Sequence, residues 1–269
     1  MDLIRRNLLW VALGTQLLLL APRLDLLPLW DDERYTLETA RRSFAGIVRA
    51  VQVDVHPPLY YFLVRGWLQL PLPGNELERT RALAALAALA ATALFGRLWL
   101  GRLTWDRRAL FLGLWVFSPC LLLYGRMARS YTLQLALAVI AIRWAQDWLH
   151  DPGNRRLQIR YVAVAVLLLY THYLPGLAVV AGTAALGLWR GQRRQLAALG
   201  WIGLLYLPWI ATLARTAGLV AATKPYWVAT QWAVEHGLKL AYLFVAFQFG
   251  ETIPGWAAAV GLVLVPVLG

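Results

Sequence analysis

Apolar residues dominate this chain in stretches about as long as a membrane-crossing helix, and basic or polar residues separate the stretches. A helix needs roughly 20 apolar residues to cross the hydrocarbon core, and an open sheet would leave backbone groups unpaired in lipid. The pattern therefore predicts an all-α fold, a polytopic bundle of about nine transmembrane helices in a single domain. The predicted spans cover approximately residues 8–28, 82–100, 109–124, 130–149, 161–174, 175–189, 196–213, 233–249 and 253–269.

The composition excludes an ordinary water-soluble domain. Of the 269 residues, 60% are hydrophobic and only 15% are charged, and the mean hydropathy is +0.55. The net charge of +12 would suggest nucleic acid as a partner of a soluble chain, but here the basic residues lie between the apolar stretches. That arrangement is typical of a multi-pass membrane protein, with the bilayer and not nucleic acid as its surroundings. The single cysteine, Cys120, excludes an intrachain disulfide.

The basic residues predict the orientation of the bundle. They form four groups: Arg5 and Arg6; Arg97, Arg102, Arg107 and Arg108; Arg155, Arg156 and Arg160; and Arg190, Arg193 and Arg194. All four fall on the cytoplasmic side if the helices alternate and residues 30–81 stay outside as an extracytoplasmic loop. Within that loop, the apolar segment 59–73 contains Arg65 and is flanked by prolines, so we expect it to lie along the membrane interface. A short second span is the alternative.

Acidic residues concentrate in the same loop, which holds seven of the fourteen in the protein. Three of them, Asp31, Asp32 and Glu33, directly follow the first predicted span and begin a helical pattern. Capping of that helix by Asp31 or Asp32 is one explanation, because the helix dipole favours an acid there. The other is a carboxylate that acts as a general base on an acceptor hydroxyl or amine, or that ligates a divalent cation.

A second motif in the loop is His56 followed by two prolines. The prolines make the backbone rigid and extended ahead of the next helix. They are expected to direct His56 and one of the tyrosines Tyr60 and Tyr61 toward the same place. A solvated loop histidine is the alternative interpretation.

Two arginines occupy the predicted outer side between two spans, where the positive-inside rule disfavours them. Arg126 and Arg129 are three residues apart, a spacing that puts them on one face of a helix. They require an anionic partner, which is either lipid headgroups or a phosphate-bearing ligand held by the guanidinium groups. His172 is predicted to cap a helix hairpin on the same side, either as a packed histidine or as a ligand.

These motifs resemble, in order and spacing, those of the polyprenyl-phosphate-dependent glycosyltransferases. The segments are WDDERYTLETA, DVHPPLYYFLVRGWLQL, ELERTRALAALAALAATALFGRLWLGRL, SPCLLLYGRMARSYTLQLAL and LLYTHYLPG. In particular, the chain resembles the bacterial relatives of protein O-mannosyltransferases and of the lipid A aminoarabinose transferase, which are family 39 enzymes with the GT-C fold. The resemblance covers roughly residues 8–190.

The resemblance implies a catalytic pair in the first extracytoplasmic loop. Carried over, the Asp-Glu pair is Asp32 and Glu33, with Asp32 as the catalytic base and Glu33 orienting the base or the acceptor. Asp31 makes the register of the pair ambiguous and is a secondary candidate. Some members of the wider fold use a divalent cation, but no ligand spacing here predicts a metal or another cofactor.

The resemblance also implies a donor site and two substrates. His56, Arg126 and Arg129 are expected to bind the phosphate of a polyprenyl-phosphate-linked sugar, with Tyr60, Tyr131 and His172 as further candidates. The acceptor is an extracytoplasmic lipid, polysaccharide or protein, and the location is the bacterial plasma (inner) membrane.

The alternatives are a transporter or channel, a non-catalytic membrane scaffold, which would not account for this series of motifs, and, among enzymes, an oligosaccharyltransferase. A transporter or channel predicts charges within the spans and an inverted repeat, whereas here the acids lie in a loop. An oligosaccharyltransferase would require a metal and a preassembled glycan. The chain stops within an apolar run, which predicts that the sequence is truncated at its C-terminal side.

Overall fold

The computed structural model describes residues 2–25, 27–53, 56–192 and 195–222, and every regular element within these ranges is an α-helix. The predicted all-α class is therefore confirmed for this part of the chain. The helices are α1 (Asp2–Leu20), α2 (Asp31–Ala40), α3 (Phe44–Val51), α4 (Leu59–Leu68), α5 (Glu76–Leu98), α6 (Trp105–Val116), α7 (Pro119–Tyr124), α8 (Tyr131–His150), α9 (Arg155–Thr171), α10 (Tyr173–Trp189) and α11 (Gln195–Ala222). The predicted spans 233–249 and 253–269 lie outside the described residues.

The long helices run back and forth between two ends of a bundle. At the first end the hydroxyl of Thr132 on α8 donates a hydrogen bond of 2.8 Å to the carbonyl of Ala84 on α5. At the other, the Trp99 indole donates to the carbonyl of Val139 at 3.2 Å. We call the first the acidic end. It is formed by α2, the beginnings of α5 and α8 and the turn between α9 and α10. We call the other the basic end, and it is formed by the ends of α5 and α8 and by residues 99–104, 151–154 and 190–192.

Two helices of the described chain are long and apolar enough to cross a membrane, Glu76–Leu98 and Ala197–Arg215. The helices Asn7–Leu20 and Tyr173–Trp189 are apolar but shorter. By length and composition, these segments are suited to membrane association. The first members of three of the four basic groups, Arg97, Arg155 and Arg190, lie next to turns at the basic end.

The largest buried cluster joins α3, α4, α8, α9 and α11. It includes the fully buried side chains of Ile47 and Val51 on α3, Trp148 on α8 and Tyr161 on α9. The rings of Trp148 and Tyr161 stack with their centroids 5.6 Å apart. This core fixes α3 and α4 against the long helices, and His56 lies three residues before α4.

Three helix boundaries differ from the predictions for local reasons. The first helix ends at Leu20 and not near residue 28, because Pro22 follows and cannot continue it. The predicted span 109–124 is two helices, α6 and α7, since Pro119 begins a new helix at its first turn. Helix α4 has ten residues and is about 15 Å long, half the thickness of the hydrocarbon core, which excludes the alternative of a second helical span there.

Candidate functional site

A buried ion pair between Glu33 and Arg81 organises the acidic end. Both side chains have no exposed surface, and the closest oxygen and nitrogen are 2.6 Å apart. The guanidinium donates from Nε to Oε1 of Glu33 at 2.9 Å and from Nη2 to Oε2. It also donates to the carbonyls of Leu24, Leu27 and Pro28. Arg81 therefore connects α5, α2 and the segment between α1 and α2, and its charge is compensated.

Glu33 also accepts two backbone hydrogen bonds. The Trp30 amide, which precedes α2, donates to Oε2 at 3.2 Å, and the Ala128 amide donates to Oε1 at 2.7 Å. The helix is thus capped by the third of the three acids and not by Asp31 or Asp32, which corrects the capping interpretation. Because Ala128 immediately precedes Arg129, Glu33 also fixes the backbone that carries this arginine.

Arg129 is buried and lies against the exposed carboxylate of Asp32. Its Nη2 is 3.7 Å from Oδ2 of Asp32, and the side chains are 5% and 59% exposed, respectively. Nη1 donates to the Asp32 carbonyl at 3.2 Å and to the hydroxyl of Thr36 at 3.3 Å. Burial lowers the pKa of Arg129, but Tyr61, Tyr131 and Asp32 raise it more, so the net shift is upward and the group stays charged. A fixed cation therefore stands beside an accessible carboxylate.

Two histidines also belong to this site. Nη2 of Arg129 lies 3.1 Å from Nε2 of His56. Because a guanidinium can only donate, a hydrogen bond at this contact uses Nε2 of His56 as the acceptor. The rings of His56 and His172 meet edge to face, with centroids 5.2 Å apart. The acidic end thus brings together Asp32, Arg129, His56 and His172.

His172 has the helix-capping role that its position suggested. It is the N-cap residue of α10, and its Nδ1 accepts a hydrogen bond of 3.3 Å from the Leu174 amide. Burial, His56 and Arg129, in that order, lower the pKa of its imidazole. The cap and the pKa shift both favour neutral His172.

The tyrosine candidates lie on two sides of Arg129. Tyr60 is buried, its hydroxyl has no hydrogen-bond partner within the described ranges, and burial raises its pKa well above the ordinary value. The Arg129 guanidinium carbon is 5.9 Å from the centre of the Tyr131 ring, which packs against Tyr124 at 4.6 Å. The Tyr131 ring thus lies beside the Arg129 guanidinium.

Arg126 and Asp31 are not part of this group of contacts. Residues 125–130 form turns between α7 and α8, so Arg126 and Arg129 do not share a helix face as predicted. The Arg126 Nη2 donates to the carbonyl of Leu19 at the end of α1. Asp31 is exposed and makes no side-chain contact with Arg129.

Arg81 is the functional residue that the sequence reasoning missed. An arginine directly before the long apolar part of α5 was the available signal, because a fully buried charge requires a compensating one. Within the ranges that the structure describes, no cluster of three or more His, Cys, Asp or Glu side chains could hold a metal ion.

Comparison with known proteins gives no relative for this chain: no family model, no curated protein and no solved structure matches it.

Proposed function

We propose that this chain is an integral membrane glycosyltransferase that moves a sugar from a polyprenyl-phosphate donor to an extracytoplasmic acceptor, with inversion. The observation that carries the proposal is the exposed Asp32 carboxylate 3.7 Å from the buried Arg129 guanidinium. Glycosyl transfer from a lipid phosphate needs these two functions side by side, a base for the acceptor and a cation for the departing phosphate. The resemblance of the sequence motifs supports the same assignment.

The base in this mechanism is Asp32. Its carboxylate takes the proton of the acceptor hydroxyl or amine as that atom attacks the anomeric carbon. The bond from the anomeric carbon to the phosphate oxygen breaks, and its electron pair leaves with the phosphate. Glu33 is fully buried against Arg81, so it holds the site together and does not reach substrate. One accessible carboxylate beside Arg129 favours a single displacement, because double displacement needs a second as nucleophile.

Arg129 stabilises the leaving phosphate, whose negative charge grows in the transition state. The Nε of this guanidinium is buried and has no hydrogen-bond partner among the described residues. An unpaired buried donor costs free energy, which an incoming anion would recover. His56, whose Nε2 lies 3.1 Å from Nη2 of Arg129, borders the proposed phosphate position.

The bilayer is the proposed environment of the bundle. Large apolar side chains are exposed on the outside of the long helices, among them Leu18 (75%), Leu174 (70%) and Trp189 (82%). Exposed apolar surface of this extent is costly in water and natural in lipid. The basic end would face the cytoplasm and the acidic end the outside, in a multi-pass protein of the plasma membrane.

A transporter is the less favoured function. It would require charged groups along a path through the middle of the bundle. In the described helices, the ion pairs of Glu33 with Arg81 and of Arg143 with Asp147 lie toward opposite ends. The acidic end is therefore better suited to a reaction at the membrane surface than to the transport of a solute through the bundle.

The proposal is tested with the full-length chain in membrane vesicles supplied with radiolabelled polyprenyl-phosphate sugars. Label is followed into lipid, polysaccharide and protein fractions for wild type and for Asp32→Asn. We expect wild type to transfer label and Asp32→Asn to lose at least about 100-fold, because the amide keeps the size of the side chain and removes the base.

Two matched variants make the result specific. Glu38→Gln changes another exposed acid on α2 and should retain wild-type transfer. Asp31→Asn should also retain it, since Asp31 does not contact Arg129. Loss in Asp31→Asn alone would move the base to Asp31, and absence of transfer from any donor by a folded wild-type protein would overturn the proposal.

A further inference from the structure

A polar cavity lies at the basic end, away from the site around Asp32. It has a volume of about 210 Å³ and is bounded by the end of α5, the turn that follows and the second half of α8. The residues that matter in its wall are Arg97, Trp99, Gly101, Arg102, Arg143 and Asp147. Arg97 is 16 positions after Arg81 on α5, which corresponds to about 24 Å along the helix axis. The two sites are therefore separate.

The wall of the cavity contains more cationic side chains than the protein's own carboxylates and carbonyls bind. Arg143 pairs with Asp147 one turn later at 2.9 Å and donates to the carbonyl of Leu98 at 3.1 Å, so it closes the end of α5 onto α8. Arg97 and Arg102 have no ion-pair or hydrogen-bond partner in the described part of the chain, although both line the cavity. Three guanidinium groups face one carboxylate, which leaves two positive charges uncompensated around a space large enough for a tetrahedral anion.

Contributions to the stability of the fold explain only some of these arginines. A cation in the last turn of a helix is favoured by the helix dipole, which explains Arg97 at the end of α5. Arg102 lies beyond the helix, and Arg143 is already paired. Convergence from two elements on one concave space is the geometry by which guanidinium groups bind phosphate.

The geometry points to a phosphate-binding site at the basic end, formed by Arg97, Arg102 and Arg143. The ligand chemistry is a phosphate monoester or diester, whether on an anionic lipid headgroup or free in solution. The headgroup is favoured because Trp99 lies in the same wall, and tryptophan is typical of the headgroup level of a membrane. Positively charged pockets between helices on the cytoplasmic side bind such headgroups.

Native mass spectrometry of the detergent-solubilised full chain, titrated with short-chain phosphatidylglycerol or phosphatidylcholine, tests this site. We expect phosphatidylglycerol to bind wild type, and the double variant Arg97→Ala, Arg102→Ala to bind it roughly 30-fold more weakly, at about 1 kcal/mol for each arginine. Asp147→Asn should bind more tightly than wild type, because it removes the competing carboxylate. A purely structural role for these residues would not produce this opposite effect.

A matched double variant, Arg107→Ala with Arg108→Ala, removes the same charge from the same end without changing the cavity wall. Equal weakening in both double variants would mean nonspecific attraction to a basic surface and would overturn the site.

Inorganic phosphate is then added as competitor to wild type. Displacement of phosphatidylglycerol at millimolar phosphate would identify the phosphate group alone as the ligand, whereas resistance to phosphate would assign the site to a lipid headgroup. Absence of phosphatidylglycerol binding and of phosphate binding by wild type would exclude both.

Discussion

Glu33 connects three parts of the chain that are far apart in sequence. Its carboxylate binds Arg81 on α5, the amide before α2 and the amide of Ala128 before Arg129. A buried carboxylate that accepts this many hydrogen bonds holds its neighbours in one arrangement. The placement of Arg129 beside Asp32 therefore depends on a residue that is itself fully buried.

Breaking this pair should destabilise the protein strongly. Glu33→Gln leaves the Arg81 charge buried and uncompensated, so we expect a loss of about 3–5 kcal/mol in the free energy of unfolding. The double variant Glu33→Leu, Arg81→Met removes both charges and should be less destabilised than Glu33→Gln. Denaturant unfolding in detergent measures all three proteins.

The control for this comparison is Glu76→Gln, which makes the same substitution in an exposed pair. Glu76 lies 2.6 Å from Arg41, with the side chains 42% and 62% exposed. Exposed pairs contribute at most about 1 kcal/mol. Equal losses from Glu33→Gln and Glu76→Gln would contradict the account.

Sequence reasoning could identify the polar residues of the acidic end but not all of their partners. Asp32, His56 and His172 were selected because each lies next to a predicted helix on the same side, and the structure brings them together. The pairing of Glu33 with Arg81 joins positions 48 residues apart, and no local periodicity encodes such a contact. The local pattern also suggested a helix at Arg126. Instead, a short helix begins at Pro119 and ends before Gly125, and Arg126 lies in the turns that follow.

The turn between α9 and α10 makes stability depend on pH. The cap hydrogen bond to Leu174 uses the unprotonated Nδ1 of His172, whose pKa is lowered in the folded protein from 6.5. The unfolded chain therefore binds a proton at a higher pH than the folded chain does. The stabilisation is complete above pH 6.5 and is lost as the pH falls below that value.

His172→Asn tests this dependence, because asparagine is a good N-cap and does not titrate. The midpoint of thermal unfolding should fall less on acidification in this variant than in wild type. His150→Asn, at the exposed end of α8, should keep the wild-type profile. If His172→Asn and wild type respond identically to pH, His172 is not the responsible group.

The close packing of α9 against α10 requires a glycine. A Cβ at position 176 would lie 2.7 Å from Cδ2 and 2.9 Å from Cα of Leu169, so backbone as well as side chain would have to move. Small residues of this kind allow helices to approach closely in membranes. The apolar pattern predicted both helices, but it could not distinguish this glycine from others in α10.

Gly176→Ala should therefore destabilise the protein by about 1–3 kcal/mol through overpacking. Gly182→Ala is the matched control on the same helix, because nothing lies within 4 Å of its added Cβ. That variant should be neutral or up to about 1 kcal/mol more stable, since alanine favours a helix. Thermal unfolding of the two variants in one detergent gives the comparison, and a Gly176→Ala protein as stable as wild type would refute the close contact.

The proposed reaction is consistent with the different charges at the two ends of the bundle. An exposed carboxylate and a buried guanidinium lie at the acidic end, the uncompensated arginines lie at the basic end, and the long helices separate them. A lipid-phosphate donor suits this division, because its sugar and phosphate would react at one surface while its hydrocarbon chain lies against the apolar helices. In the proposed mechanism, Asp32 and Arg129 act in one displacement at the anomeric carbon.

The most direct test of this account is the anomeric configuration of the transferred sugar. Wild-type protein in vesicles is given a polyprenyl-phosphate sugar of known configuration, and the linkage in the product is determined by nuclear magnetic resonance. The account predicts transfer with inversion, because Asp32 acts as a base and Glu33 is held in its ion pair with Arg81. Transfer with retention, or no transfer by a folded protein, would contradict it.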